Sequence, residues 1–248
     1  MKKLFSVFLA IMMLFSMSLA AAEEAALKPL EVSTEEAVEL PDLSGITAPD
    51  YDAYMEEDKG DISIKGLVTH DTVAISGSQY QVLTPTGILF TYTAPSGVVA
   101  LTQDYVQQAT LFSSYYSNPL EVVSKWIDNG MHLNVYYSTN DVDVFIYVFD
   151  TPMAQIFQNS NNMTQQEADY LFSYMQTDDE YIKGATSGTY GWLGGNVWFL
   201  GDMRATKGVV RLFSFVGGKE IYAYAKITSD TQYDNVIDML DTLIISAR

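Results

Sequence analysis

Two strand-like runs, GVVRLFSFV (208–216) and KEIYAYAKI (219–227), are separated only by Gly217 and Gly218. Paired glycines between such runs predict a two-residue hairpin turn, which forces the two strands to pair antiparallel. The same grammar recurs along the chain. VAIS, QYQVL and GILFTYT lie between residues 64 and 92 and are punctuated by Gly, Ser and Pro, which predicts a meander. HLNVYYST and VDVFIYVFD meet through Asn140 and Asp141, another hairpin signal, and NVWFL adds a further strand.

Three helices interrupt the strands. SNPLEVVSKWIDNG offers Asn118 as N-cap, Pro119 in the first turn and Gly130 at the C-terminus, with Leu120, Val123, Trp126 and Ile127 as the buried stripe. Thr164 and Glu167 have capping-box spacing ahead of Ala168, Leu171, Phe172 and Met175. In DTQYDNVIDMLDTLIIS, residues Tyr233, Val236, Ile237, Leu240, Leu243 and Ile244 fall on one helical face, and Leu240 is expected to be fully buried. The order meander, helix, hairpin, helix, meander, helix predicts an α+β fold: a mostly antiparallel sheet covered by helices.

Three segments are expected. MKKLFSVFLAIMMLFSMSLAAAEE has a basic start, an apolar run and small residues, so residues 1–22 read as a cleaved signal peptide and the mature protein as secreted. Residues 23–61 carry thirteen acids against Lys28 and Lys59, a net of −11, and three prolines, which predicts a flexible acidic leader. Ser33 and Glu36 could start a short helix within it. Residues 62–248 then form one α+β domain.

Composition closes off several chemistries. The chain has no cysteine, so disulfides, thiolate nucleophiles and a lipidated cysteine are excluded. Without Lys2 and Lys3, 11 basic residues face 31 acids, a net of −20, which argues against nucleic acid and anionic membranes as partners. The acidic run PDYDAYMEEDKGD is not an EF-hand loop, because from Asp50 the fifth and sixth positions are Tyr54 and Met55.

GTYGWLGGNVWFLGDM (188–203) resembles a ligand-cradling loop at first sight, but its glycines lack the dinucleotide-loop spacing and no P-loop lysine follows. It reads as a sheet corner, with Trp192 and Trp198 packed on the core. The candidate acid–base residues are few: His70 and His132, which read as surface or capping residues, and the carboxylates Asp141 with Asp143 and Asp178–Glu180, which read as solvated turns. No catalytic, cofactor-binding or metal-binding residue is assigned. Tyrosine is frequent, 17 of 248, and the adjacent pairs place Tyr116 or Tyr137 as a candidate exposed stacking surface for sugars or peptides.

TPTGILFTYTAPSGVVAL, LGGNVW, KEIYAYAKIT and the terminal YDNVIDMLDTLII resemble the PsbP-like domains over roughly residues 79–248. The chain departs from that pattern at Val98 and Val99, where an aromatic usually follows the proline. The resemblance implies an α-β-α sandwich and a non-catalytic role, and transfers no site residue. The expected function is a secreted non-enzymatic binding or assembly module without a cofactor, its partner a protein or cell-envelope component. The alternatives are a cell-wall carbohydrate binder using exposed tyrosines, and a hydrolase with a carboxylate pair.

Overall fold

The computed structural model describes residues 27–30, 39–55, 71–103 and 119–248. The signal segment, the Ser33–Glu36 capping box, His70, Tyr116 and the Asn118 cap lie outside the described residues.

The strands form two antiparallel sheets rather than one. β1 (Thr72–Ser76), β2 (Gln79–Leu83) and β3 (Ile88–Thr93) are the expected meander, joined by β11 (Ile244–Ala247) in the order β1-β2-β3-β11. The larger sheet holds β4 (Val98–Thr102), β5 (Met131–Tyr137), β6 (Val142–Phe149), β7 (Ser187–Leu193), β8 (Asn196–Met203), β9 (Val209–Val216) and β10 (Lys219–Lys226). Its order is β4-β5-β6-β10-β9-β8-β7, so five pairings between strands consecutive in the chain flank the long-range β6–β10 pair. Gly217 and Gly218 have φ of 58° and 72°, as the turn between β9 and β10 requires.

Side-chain alternation divides the large sheet into two unlike faces. Along β10, Ile221, Ala223 and Ala225 join an aliphatic core with Leu212 of β9, Val144 of β6 and Leu200 of β8. The four-stranded sheet and helix α6 (Asp230–Thr242) cover this face through residues such as Phe90, Tyr92, Val236 and Leu240. The opposite face is aromatic. The register aligns Tyr147, Tyr222, Phe213 and Phe199 in one row across β6, β10, β9 and β8. Helices α2 (Pro119–Asp128), α3 (Pro152–Phe157) and α4 (Gln165–Met175) cover it with Val123, Met153 and Leu171. The described residues also hold two short helices, α1 (Asp52–Met55) and α5 (Arg204–Lys207), and a 3-10 turn at Ser160–Asn162.

Both halves of the Thr164–Glu167 capping box are made, and Ala168, Leu171 and Met175 are buried as expected, with Phe172 half-buried. Leu240 is fully buried. Two helix expectations need correction. Leu120 is 42 % exposed, so the stripe of α2 begins one turn later at Val123. Helix α6 stops at Thr242, and Ile244, assigned to its stripe, is 57 % exposed on β11. There Ile244 and Ile245 follow strand alternation, because β3 offers an unpaired edge that main-chain hydrogen bonds satisfy better than another helical turn.

The largest correction concerns the acidic leader. Its described residues do not lie free: Leu27, Leu30, Leu43 and Tyr51 are buried. Lys28 and Trp192 exchange main-chain hydrogen bonds of 3.0 and 2.7 Å, covering the open edge of β7. Residues 39–55 run as a strap over the aromatic face. Tyr170 donates to the carbonyl of Pro41 at 2.8 Å, Tyr174 to that of Ile46 at 3.4 Å and Tyr224 to that of Tyr54 at 3.0 Å. Net charge foretells solvation of a segment only when its apolar side chains find no seat, and here four of them do.

Candidate functional site

The carboxylates and histidine singled out by sequence are held by structural partners. His132 places Nδ1 2.9 Å from Asp71, whose side chain is fully buried, and the main-chain amide of Asp71 donates to Gln103. His132 is therefore an internal pairing residue rather than a surface one. Asp143 accepts from Asn134 Nδ2 at 3.0 Å, and Asp141 accepts from the Tyr136 hydroxyl at 3.2 Å. Asp178 accepts from the Glu180 amide, and Asp179 pairs with Lys183 on the surface. Tyr137 is buried, so it offers no stacking face, and none of the described tyrosines is in the exposed class.

The glycine-rich stretch is a hairpin, β7–β8, turning at Gly194 and Gly195 with φ of 64° and 96°. Trp198 is fully buried, while Trp192 is half-buried against the aromatic core. Gly191 serves close approach, because a Cβ there would stand 2.5 Å from the carbonyl oxygen of Lys28.

Beneath the strap lies a polar cluster that sequence reasoning missed. Glu220 is fully buried on the aromatic face of β10. Tyr51 donates its hydroxyl to Oε1; Thr151 at 2.8 Å and Tyr181 at 3.4 Å donate to Oε2. Burial pushes the carboxyl up to about 7, against the opposing pull of these hydroxyl donors. Two rows along the same face, level with Tyr224, Arg211 is also fully buried; its guanidinium donates to the carbonyls of Glu180 and Tyr181 and to Asp52 of the strap. The sequence signal was available: Glu220 is in phase with Tyr222 and Tyr224, on a strand where the other phase is aliphatic. Glu220 and Arg211 are themselves sealed from solvent beneath the strap.

An open cleft of about 700 Å³ lies elsewhere, between the α3–α4 connection, the β9–β10 turn and β11. Its floor is apolar, from Phe157, Val216 and Ile245, and its wall is amide-rich, from Gln158, Asn159, Asn161 and Asn162. Two of these amides are architectural. Asn161 accepts from the Val197 amide at 2.8 Å and donates to the Gly195 carbonyl, while Asn159 accepts from the Asn161 amide. The side chains of Gln158 and Asn162 are exposed and make no hydrogen bond among the described residues. Gln158 is held at φ 28°, one of two non-glycine residues at positive φ among the described residues, the other being Asp141 in its turn. Its carbonyl accepts from the Gly218 amide at 2.9 Å, which ties this backbone to the β9–β10 turn.

β11 contributes a further edge. Arg248 donates its amide to Gly87, so alternation turns the main-chain groups of Ile245 and Ala247 away from β3. Those of Ile245 are satisfied by the side chain of Asn196, leaving Ala247 to face the cleft side. No Lys, Arg or His is among the described lining residues, and the one acid, Glu167, serves its capping box. The arrangement can offer paired donors and acceptors over an apolar floor, and no poised acid or base.

Among the described residues there is no group of three or more His, Cys, Asp or Glu able to hold a metal ion, and no helix long and apolar enough to cross a membrane. The fold defines a mixed α+β protein of two antiparallel sheets. The chain matches no family model, no curated protein and no solved structure.

Proposed function

We propose that this protein is a secreted, non-enzymatic binding or assembly module whose ligand, uncharged and bearing both donors and acceptors, seats in the amide-walled cleft. The observation that carries this reading is the uncommitted pair Gln158 and Asn162, exposed on a cleft of about 700 Å³, a size suited to a small ligand or a segment of a larger one. The backbone of Gln158 points the same way, since sparsely populated conformations tend to concentrate at functional sites. The likeness of residues 79–248 to the PsbP-like domains, with their α-β-α sandwich and non-catalytic role, agrees with it.

The carbohydrate alternative keeps support through these carboxamides rather than through Tyr137, which is buried. The hydrolase alternative has less, because Asp141 and Asp143 each hold a neighbouring side chain. Saturation-transfer NMR with neutral cell-wall oligosaccharides and with short neutral peptides tests the proposal. A signal that disappears in Gln158→Ala/Asn162→Ala supports the cleft. A signal unchanged in that variant moves the site elsewhere, and consumption of the ligand over hours restores the enzyme reading.

A further inference from the structure

Tyr51 and Asp52 are neighbours in the strap, yet they close two different openings in the aromatic layer. Tyr51 is fully buried on Glu220, and its ring lies 4.6 Å from that of Tyr222 and 5.2 Å from that of Phe213. Asp52 is half-exposed and holds Arg211 from below and Lys207, at 2.7 Å, from the rim. Lifting the strap would give water to a carboxyl and a guanidinium that are dry while it is seated.

We infer that the strap is a protonation-sensitive cover: it seats over Glu220 while that carboxyl is neutral, and loosens as the carboxyl ionises. The reason lies in what surrounds Glu220. Its partners are three hydroxyls, from Tyr51, Thr151 and Tyr181, and none is a cation. Across the sheet it stands between Phe149 of β6 and Phe215 of β9. Arg211 lies two rows away along that face, opposite Tyr224 and beyond the Tyr222–Phe213 row, and is taken up by Asp52 and two carbonyls. The neighbouring Lys219 is committed to Asp150. Hydroxyls stabilise a buried carboxylate less than water and a counter-charge do, so ionisation favours the arrangement in which water reaches Glu220. Tyr51, Tyr181 and Tyr222 are themselves pushed well above the ordinary phenol range, chiefly by burial, so none of them ionises first. Asp52 supplies the strap's other anchor, its ion pairs with Arg211 and Lys207, and Glu220 takes no part in them.

The size of the effect follows from the two ends of the cycle. A carboxyl at about 7 under the strap and about 4.5 when uncovered makes opening about 30-fold more frequent at about pH 8.5 than at about pH 5.5. Hydrogen-exchange mass spectrometry on the full chain, with rates converted to protection factors, reads this directly on peptides spanning residues 39–55. Strap protection should fall by roughly that factor across the range and stay well below that of the β9 and β10 peptides, which open only with the whole fold. In Glu220→Gln, which cannot ionise, strap protection should be flat with pH. In Tyr51→Phe, which keeps the ring but removes one stabilising donor, the midpoint of the loss should move to higher pH. A strap whose protection is constant in the unaltered protein overturns the inference, and so does an unchanged loss in Glu220→Gln.

Discussion

Tyr51 donates its phenolic hydroxyl to Glu220, 169 positions further along the chain, and so joins the acidic leader to the central strand of the large sheet. The ring fills the aromatic layer between Phe149, Tyr181, Phe213 and Tyr222. Tyr51→Ala should therefore cost about 3–5 kcal/mol through lost transfer energy and the cavity left behind. Tyr51→Phe removes only the donor and should cost about 1–3 kcal/mol. Urea melts of the two variants check this; a change below about 0.5 kcal/mol in Tyr51→Ala would show that the strap is not seated.

Glu220 makes stability depend on pH in a defined direction. The folded protein holds its proton more tightly than the unfolded chain, because burial pushes the carboxyl up to about 7. Its contribution is thus fully present below about pH 4.5, is lost as pH rises toward 7, and is constant above. The difference amounts to at most about 3 kcal/mol. Urea midpoints measured at about pH 5 and about pH 8 should converge in Glu220→Gln relative to the unaltered protein, and an identical pH slope in both would exclude this carboxyl as the source.

Gly191 and Gly195 separate close approach from backbone conformation. An alanine methyl at 191 would collide with the Lys28 carbonyl at 2.5 Å, whereas at 195 it meets open space but sits at φ 96°. Gly191→Ala should cost about 1–3 kcal/mol by overpacking, and Gly195→Ala about 1–2 kcal/mol by backbone strain. Only the first penalty should vanish in a chain that starts after Leu30. Thermal melts of the two variants in both backgrounds distinguish the causes.

Leu240 and Asp238 test the docking of α6. Leu240 is fully buried between the sheets and Asp238 is exposed. Leu240→Ala should cost about 2–5 kcal/mol and Asp238→Ala less than about 0.5 kcal/mol. Equal losses for the two in urea melts would mean that α6 is not packed on the aliphatic face.

Gln158 should show a conflict between stability and binding. A glycine tolerates φ 28° without strain, so Gln158→Gly should hold or raise stability by up to about 1 kcal/mol. The same change removes a free carboxamide from the cleft wall and should weaken ligand binding about 10-fold, by NMR titration. Loss of stability by more than about 1 kcal/mol would show that the glutamine side chain supports the fold.

Local pattern determined a great deal of this protein. Turn glycines at 217–218 and 194–195, the capping box at Thr164, and Leu240 in its helical stripe are all short-range features, and each is set by backbone conformations that few residues adopt or by hydrogen bonds a few residues apart. The α+β class follows from their succession. What the periods could not decide is where one ends: Ile244 fits a helical stripe as well as a strand, and only the open edge of β3, more than 150 positions earlier, chose the strand.

The tertiary structure decided everything that depends on partners distant in sequence. The acids of residues 23–61 argue for solvation, but Tyr51 is held by Glu220 and Asp52 by Arg211, and a charge tally sees neither. Tyr137 and His132 carry no local mark of burial, and long-range packing and Asp71 settle them. The cleft is assembled from the α3–α4 connection, the β9–β10 turn and β11, segments up to 90 positions apart. A concavity is a property of surfaces brought together, and no run of residues contains it.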